Sequence, residues 1–195
     1  MLCHLGGAGG RRPKKKPKQF TPEDGALPGQ LLDVRVGRIV RAWPHPGADK
    51  LFCEEIDVGE DAPRTIASGL RAFYSEAEMQ GRRCLVICNL KPRKMQGFKS
   101  CGMVFCASNA DHTAVEFVAP PAGAAVGERV TLTPGHALAA HPAAPPNFVA
   151  KKKVFEACLP DLATDAGKVA TYKGMAFTTA SGVCTVPSLA SCGIK

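Results

Sequence analysis

Leu32-Asp33-Val34-Arg35-Val36-Gly37-Arg38-Ile39-Val40 is the stretch on which the fold turns. Leu32, Val34 and Val36 alternate with Asp33 and Arg35, the two-residue period of a strand with one buried face. Gly37 interrupts that alternation before Ile39 and Val40, and a glycine inside a strand pattern predicts a bulge or sharp bend. The run Pro44-His45-Pro46-Gly47 then marks a turn. Outward from there, the same reading predicts strands over 51–58, 64–67, 84–87 and 103–107, with a short helix over 75–80. Short strands with a bend in the first, and one short helix after the third, predict a five-stranded closed barrel of the OB type. The 20 glycines and 16 prolines of the 195 residues fit a chain of short strands and many turns.

The barrel pattern ends near Val130-Thr131-Leu132. An Ala/Pro-rich connector over 134–150 follows, then a second unit over 151–195. That unit has a helical segment at 151–159 and strand-like runs at 169–172 and 183–186. So short a segment builds little core of its own, so it is expected to pack on the barrel. The fold class is therefore mainly β: an OB-fold barrel over 29–133 with a smaller C-terminal α+β domain packed on it. Residues 1–28, rich in Gly, Pro and Lys, read as a disordered basic linker.

The net charge of +8 is unevenly placed. Residues 1–22 carry six bases and no acid, and residues 79–110 carry six more, again with no acid, so the remainder is slightly acidic. A solvated surface intersperses both signs. Two single-sign blocks point to a polyanionic partner.

The central basic stretch runs Asn89-Leu90-Lys91-Pro92-Arg93-Lys94-Met95-Gln96-Gly97-Phe98-Lys99-Ser100-Cys101-Gly102-Met103. Joining two buried strands, it reads as a surface loop, where binding residues concentrate. Lys91, Arg93, Lys94 and Lys99 can each meet a phosphate, while Asn89 and Ser100 offer uncharged hydrogen bonds. Met95 and Phe98 give apolar faces, equally suited to core packing and to stacking on a base. Lys14, Lys15, Lys16 and Lys18 in the tail are accessory cations, first of all a solvated tether.

Other chemistry is excluded on spacing. None of the nine cysteines forms a CxxC pair or has a histidine at zinc-site spacing, so neither a metal nor a cofactor is expected. Cys84, Cys88, Cys101 and Cys106 sit in apolar runs as buried thiols, and their chain is expected in a reducing compartment such as the cytoplasm. No apolar run is long enough to span a bilayer. His4, His45, His112, His136 and His141 are scattered, no nucleophile or phosphate-loop motif is present, and Glu54, Glu55 and Asp57 read as a solvent-facing strand edge. An enzyme in this chain alone is not expected.

Several phrases carry a resemblance. Residues 32–40, His45-Pro46-Gly47-Ala48-Asp49-Lys50-Leu51, Ser68-Gly69-Leu70 and the 89–103 stretch resemble the tRNA-binding domain of the endothelial monocyte-activating polypeptide II family. Lys151-Lys152-Lys153, Pro160-Asp161-Leu162, Val169–Gly174, Gly182-Val183-Cys184 and Ser191–Lys195 are similar to that family's C-terminal domain. Phrases such as Ala125–Thr131 and Phe177-Thr178-Thr179 look most like the C-terminal extension of plant-type methionyl-tRNA synthetase. The resemblance implies a non-catalytic module that holds tRNA by shape and backbone and serves an aminoacyl-tRNA synthetase in cis or in trans. Carried over by motif position, the implied tRNA contacts are Lys50, Asn89, Lys91, Arg93, Lys94, Ser100 and Met103. The resemblance further implies a monomer of pseudo-dimeric shape. The other function class it leaves open is a protein-interaction or cytokine-like signalling module, through the similarity of 35–40.

Overall fold

The computed structural model describes residues 26–133 and 142–195, and the chain is mainly β, as expected. The strands in chain order are β1 (Val34–Pro44), β2 (Phe52–Asp57), β3 (Arg64–Ser68), β4 (Arg83–Ile87), β5 (Arg93–Met95), β6 (Phe98–Ser100), β7 (Met103–Val104), β8 (Cys106–Ser108), β9 (Val115–Phe117) and β10 (Thr131–Thr133). After the second described stretch begins come β11 (Leu162–Thr164), β12 (Ala170–Tyr172), β13 (Met175–Thr179), β14 (Gly182–Val183) and β15 (Gly193–Ile194). The helices are α1 (Glu76–Met79), α2 (Pro146–Lys152) and α3 (Val154–Cys158).

β3-β2-β1-β4-β7 form one sheet that curls until its edges nearly meet. At the seam, the Cys101 N–H, just before β7, donates to the Thr65 carbonyl of β3 at 2.7 Å. The interior of this barrel-like sheet is apolar: Ile39, Ile56, Val58, Ile66, Met79, Val86 and Phe117 are buried together. α1 seals one end and is capped by Ser75, whose hydroxyl accepts from the Glu78 N–H while Glu78 accepts from the Ser75 N–H.

A second sheet has the order β10-β13-β12-β11-β15-β8-β9, with β14 beside β13. It draws β8, β9 and β10 from the chain before residue 134 and the rest from after it. A second core lies between the sheets, where Val36, Leu85 and Phe105 meet Leu162, Tyr172 and Ile194. Ala26 and Leu27, read from sequence as the end of the linker, also pack on this core. The rest of that linker, with Lys14, Lys15, Lys16 and Lys18, and the first part of the connector lie outside the described residues.

The two cores explain the pattern at Gly37. Val34 and Val36 face the core between the sheets; Ile39 and Ala42 face the barrel interior. The buried face therefore changes side along one strand, and the sequence shows this as broken alternation. The bulge is not at Gly37 but after it: Ile39 pairs with Ile56 and Arg41 with Glu55, leaving Val40 unpaired and exposed. Gly37 answers to close packing instead, because a Cβ there would lie 2.8 Å from Val86 Cγ2 and 3.0 Å from Ile56 Cγ2. Gly37→Ala is expected to destabilise by about 1–3 kcal/mol, the usual cost of overpacking. Urea unfolding checks this; unchanged stability would show that the barrel gives way freely at that point.

Three further expectations are corrected. The strand predicted over 103–107 is two strands in different sheets, because Phe105 turns inward between them and pairs with Leu85 and Val118. The helix predicted over 151–159 breaks at Lys153, which adopts φ 53° and separates α2 from α3. Glu54 is not on a solvent-facing edge: it is fully buried in β2, in phase with Phe52 and Ile56. Ser68 Oγ donates to Glu54 Oε1, and Oε2 has no partner among the described residues.

Candidate nucleic-acid interface

The basic stretch between β4 and β7 is a hairpin rather than a loop. Arg93 pairs with Ser100, Lys94 with Lys99, and Met95 with Phe98. Gln96 and Gly97 make the two-residue turn, with φ 48° and 88°. Both central residues in the left-handed region is the primed turn that matches strand twist, and glycine adopts it without penalty.

Antiparallel pairing sorts the side chains onto two faces. Lys94 and Lys99 stand opposite one another, both exposed, on one face. Like charges directly across a ladder repel. No ion pair among the described residues relieves them, and none engages Lys50, Lys91 or Arg93. Arg93, Met95 and Ser100, on the other face, line a groove that Lys91 and Met103 also line. Lys50 is exposed in the turn between β1 and β2 and is not part of that groove.

β3 sets the hairpin's position. Arg64 donates to the carbonyls of Cys88 and Cys101, which flank the hairpin. Arg64 is itself held by Glu60 at 2.6 Å, and that bond keeps the Glu60 carboxyl below its ordinary range. The Thr65 hydroxyl donates to the Lys99 carbonyl at 2.8 Å, and Ser100 Oγ accepts from the Ala67 N–H at 3.1 Å. Phe98 meets Trp43 edge-on at 6.0 Å and His45 at 6.2 Å, with the Arg41 guanidinium 4.8 Å above the Trp43 ring.

Two of the residues expected as RNA contacts are buried. Asn89 is buried: its Oδ1 accepts from the Asp33 N–H at 2.8 Å, and its Nδ2 donates to the carbonyls of Leu31 and Ala144 at 2.8 and 2.9 Å. Its side chain is consumed in bracing the strands. Ser100 is buried too, with its hydroxyl shared between Ala67 and Gly102. Conversely, the sequence reading did not single out Arg41, Trp43 or Lys195. Arg41 and Trp43 share a strand face by their i, i+2 spacing, the one signal that could have paired them. No cluster of three or more His, Cys, Asp or Glu fit to hold a metal occurs among the described residues.

Comparison with known proteins places this arrangement. Residues 34–129, from β1 through the hairpin to the approach of β10, match the family described as "Putative tRNA binding domain". The chain belongs to this family. The crystal structure of the C-terminal domain of Plasmodium vivax p43 superposes with a TM-score of 0.75 at 32% identity, covering 85% of this chain and 98% of that one. The likeness to that solved domain thus reaches beyond residues 34–129. A "Probable methionine--tRNA ligase" of Oryza sativa subsp. japonica is 52% identical over 164 residues, covering 84% of this chain but 20% of its own length. An "Aminoacyl tRNA synthase complex-interacting multifunctional protein 1" of Cricetulus griseus is 43% identical over 190 residues, covering 95% of this chain and 51% of its own length. The chain therefore spans between a fifth and about half of these two curated relatives.

Proposed function

We propose that this chain is a non-catalytic, largely sequence-independent tRNA-binding module that helps an aminoacyl-tRNA synthetase, of the methionyl kind, to hold its tRNA. The observation that carries the reading is the hairpin: exposed Lys94 and Lys99 face each other across its two strands, with Lys91 and Arg93 beside them, and none has a counter-ion among the described residues. A phosphate backbone relieves that repulsion and releases its own counter-ions on binding. In this reading the curled five-stranded sheet is an OB barrel within 29–133, and 151–195 is the second domain joined through 134–150. The barrel's binding face lies beside the hairpin, Lys50 and Trp43. The tail lysines Lys14, Lys15, Lys16 and Lys18 add non-specific attraction. The names of the rice and hamster relatives support a synthetase partner, in cis or in trans, and a cytoplasmic "Methionine--tRNA ligase" of Arabidopsis thaliana, 46% identical over 180 residues, supports that compartment. No described helix is long and apolar enough to cross a membrane. We take the chain as a monomer of pseudo-dimeric shape.

The test replaces Lys91, Arg93 and Lys94 together by alanine and measures affinity for several tRNAs across a salt series. Loss of three phosphate contacts should weaken every tRNA about 10–100-fold at low salt and lower the salt slope by about 3. A triple variant that binds like the wild type removes the hairpin as the site.

A further inference from the structure

Between the inner face of the hairpin and the helices α2 and α3 lies a groove of about 720 Å³. Its lining is mostly apolar, with Phe73 from the β3–α1 connection, Met95 from β5, Met103 from β7 and Phe155 from α3. Its rims are cationic. Lys91 and Arg93 border it on the hairpin side; exposed His112 and Lys195 border it from the second sheet. His112 is held there with φ 55°, its Nδ1 3.2 Å from Ser108 Oγ and its ring 3.1 Å from Lys195 Nζ. One acid, Glu156, is found in the lining.

We propose that this groove receives a short unpaired run of RNA, with bases lying against Phe73, Met95, Met103 and Phe155 and phosphates meeting Lys91 and Arg93 on one rim and Lys195 on the other. The inference rests on the tRNA reading above and sharpens it. A purely apolar ligand gains nothing from three cations and a histidine around the mouth, whereas an RNA strand matches both lining and rim. A duplex cannot use the floor, because its bases are stacked on one another and it offers proteins its phosphates, 2′-hydroxyls and base edges. Unpaired bases expose flat faces, and stacking on aromatic or apolar side chains is tolerant of sequence. The hairpin would thus divide its labour. Lys94 and Lys99 meet backbone on the outer face, while Arg93 and Met95 turn a neighbouring unpaired segment into the groove.

The experiment uses the full chain and a single-stranded hexa-adenylate, with total tRNA as the parent ligand. Methyl NMR of the wild type should show Met95 and Met103 shifting on addition of the hexanucleotide. Lys195→Glu, an exposed change that leaves the core intact, should weaken hexanucleotide binding about ten-fold, and Phe155→Ala by a similar factor. If tRNA binds but the hexanucleotide leaves both methyls unmoved, the groove proposal is overturned while the tRNA reading stands. Methyls that move only with an apolar helical peptide would assign the groove to a protein partner and overturn it equally. Methyl shifts with the hexanucleotide, lost in Lys195→Glu, support the groove even if tRNA fails to bind, which would sink the parent reading alone.

Discussion

Asn89→Ala is expected to lower the melting temperature by about 5–15 °C, the equivalent of roughly 2–4 kcal/mol in a domain of this size. Asn89 ties together three backbone groups far from it in sequence: the Asp33 N–H at the entry to β1, the Leu31 carbonyl before it, and the Ala144 carbonyl on the approach to α2. Truncation strands the Asp33 donor and the Ala144 acceptor in a buried position, and each such orphan costs about 1–3 kcal/mol. The Leu31 carbonyl suffers less, since it still accepts from the Ala144 N–H at 2.9 Å. Asn89→Asp gives a sharper control. It keeps an acceptor for Asp33 but sets a carboxylate against two carbonyl oxygens, so at neutral pH it should be at least as damaging as alanine. Thermal unfolding by circular dichroism checks both. Were either variant to melt with the wild type while losing tRNA, Asn89 would return to the RNA-binding surface and its bracing role would be refuted.

Asn89 also shows where sequence reading fails. Strands β1 to β4 and α1 were legible because their signals are local: alternation, turn residues, and the Ser75–Glu78 capping pair. The hairpin cations were legible because charge without interspersed acid is visible in a string. Polar residues beside them were not, since the partners of Asn89 lie 55 to 58 residues away and the donor to Ser100 lies 33 away. Nor could the string show that β4 is buried twice over, with Leu85 and Ile87 toward one core and Cys84 and Val86 toward the other. A continuous apolar run predicts burial without saying against what. The groove is the extreme case, assembled from four separate parts of the chain. Glu54 differs: its charge argues for solvent, whereas its phase, with Phe52 and Ile56 on either side of it in the alternation, marks an inward position.

That phase makes Glu54 a pH-dependent element of the fold. Burial raises its carboxyl to about 8, far above the ordinary 4.5, against the opposing pull of the hydrogen bond donated by Ser68. Between those two values the folded chain keeps a proton that the unfolded chain releases. Raising the pH therefore favours unfolding, at no more than ~1.4 kcal/mol per pH unit. The contribution is fully present below pH 4.5 and is lost as pH rises through about 8. Glu54→Gln keeps an oxygen for the Ser68 hydroxyl and has no charge to bury. It should therefore lose much less stability than the wild type between pH 5 and pH 9, match it near pH 5, and exceed it by several kcal/mol at pH 9. Urea unfolding at pH 5, 7 and 9 reads the difference directly. Parallel stability profiles for the two proteins would mean that the barrel interior accommodates the ionised carboxylate, and that burial alone does not set its proton affinity.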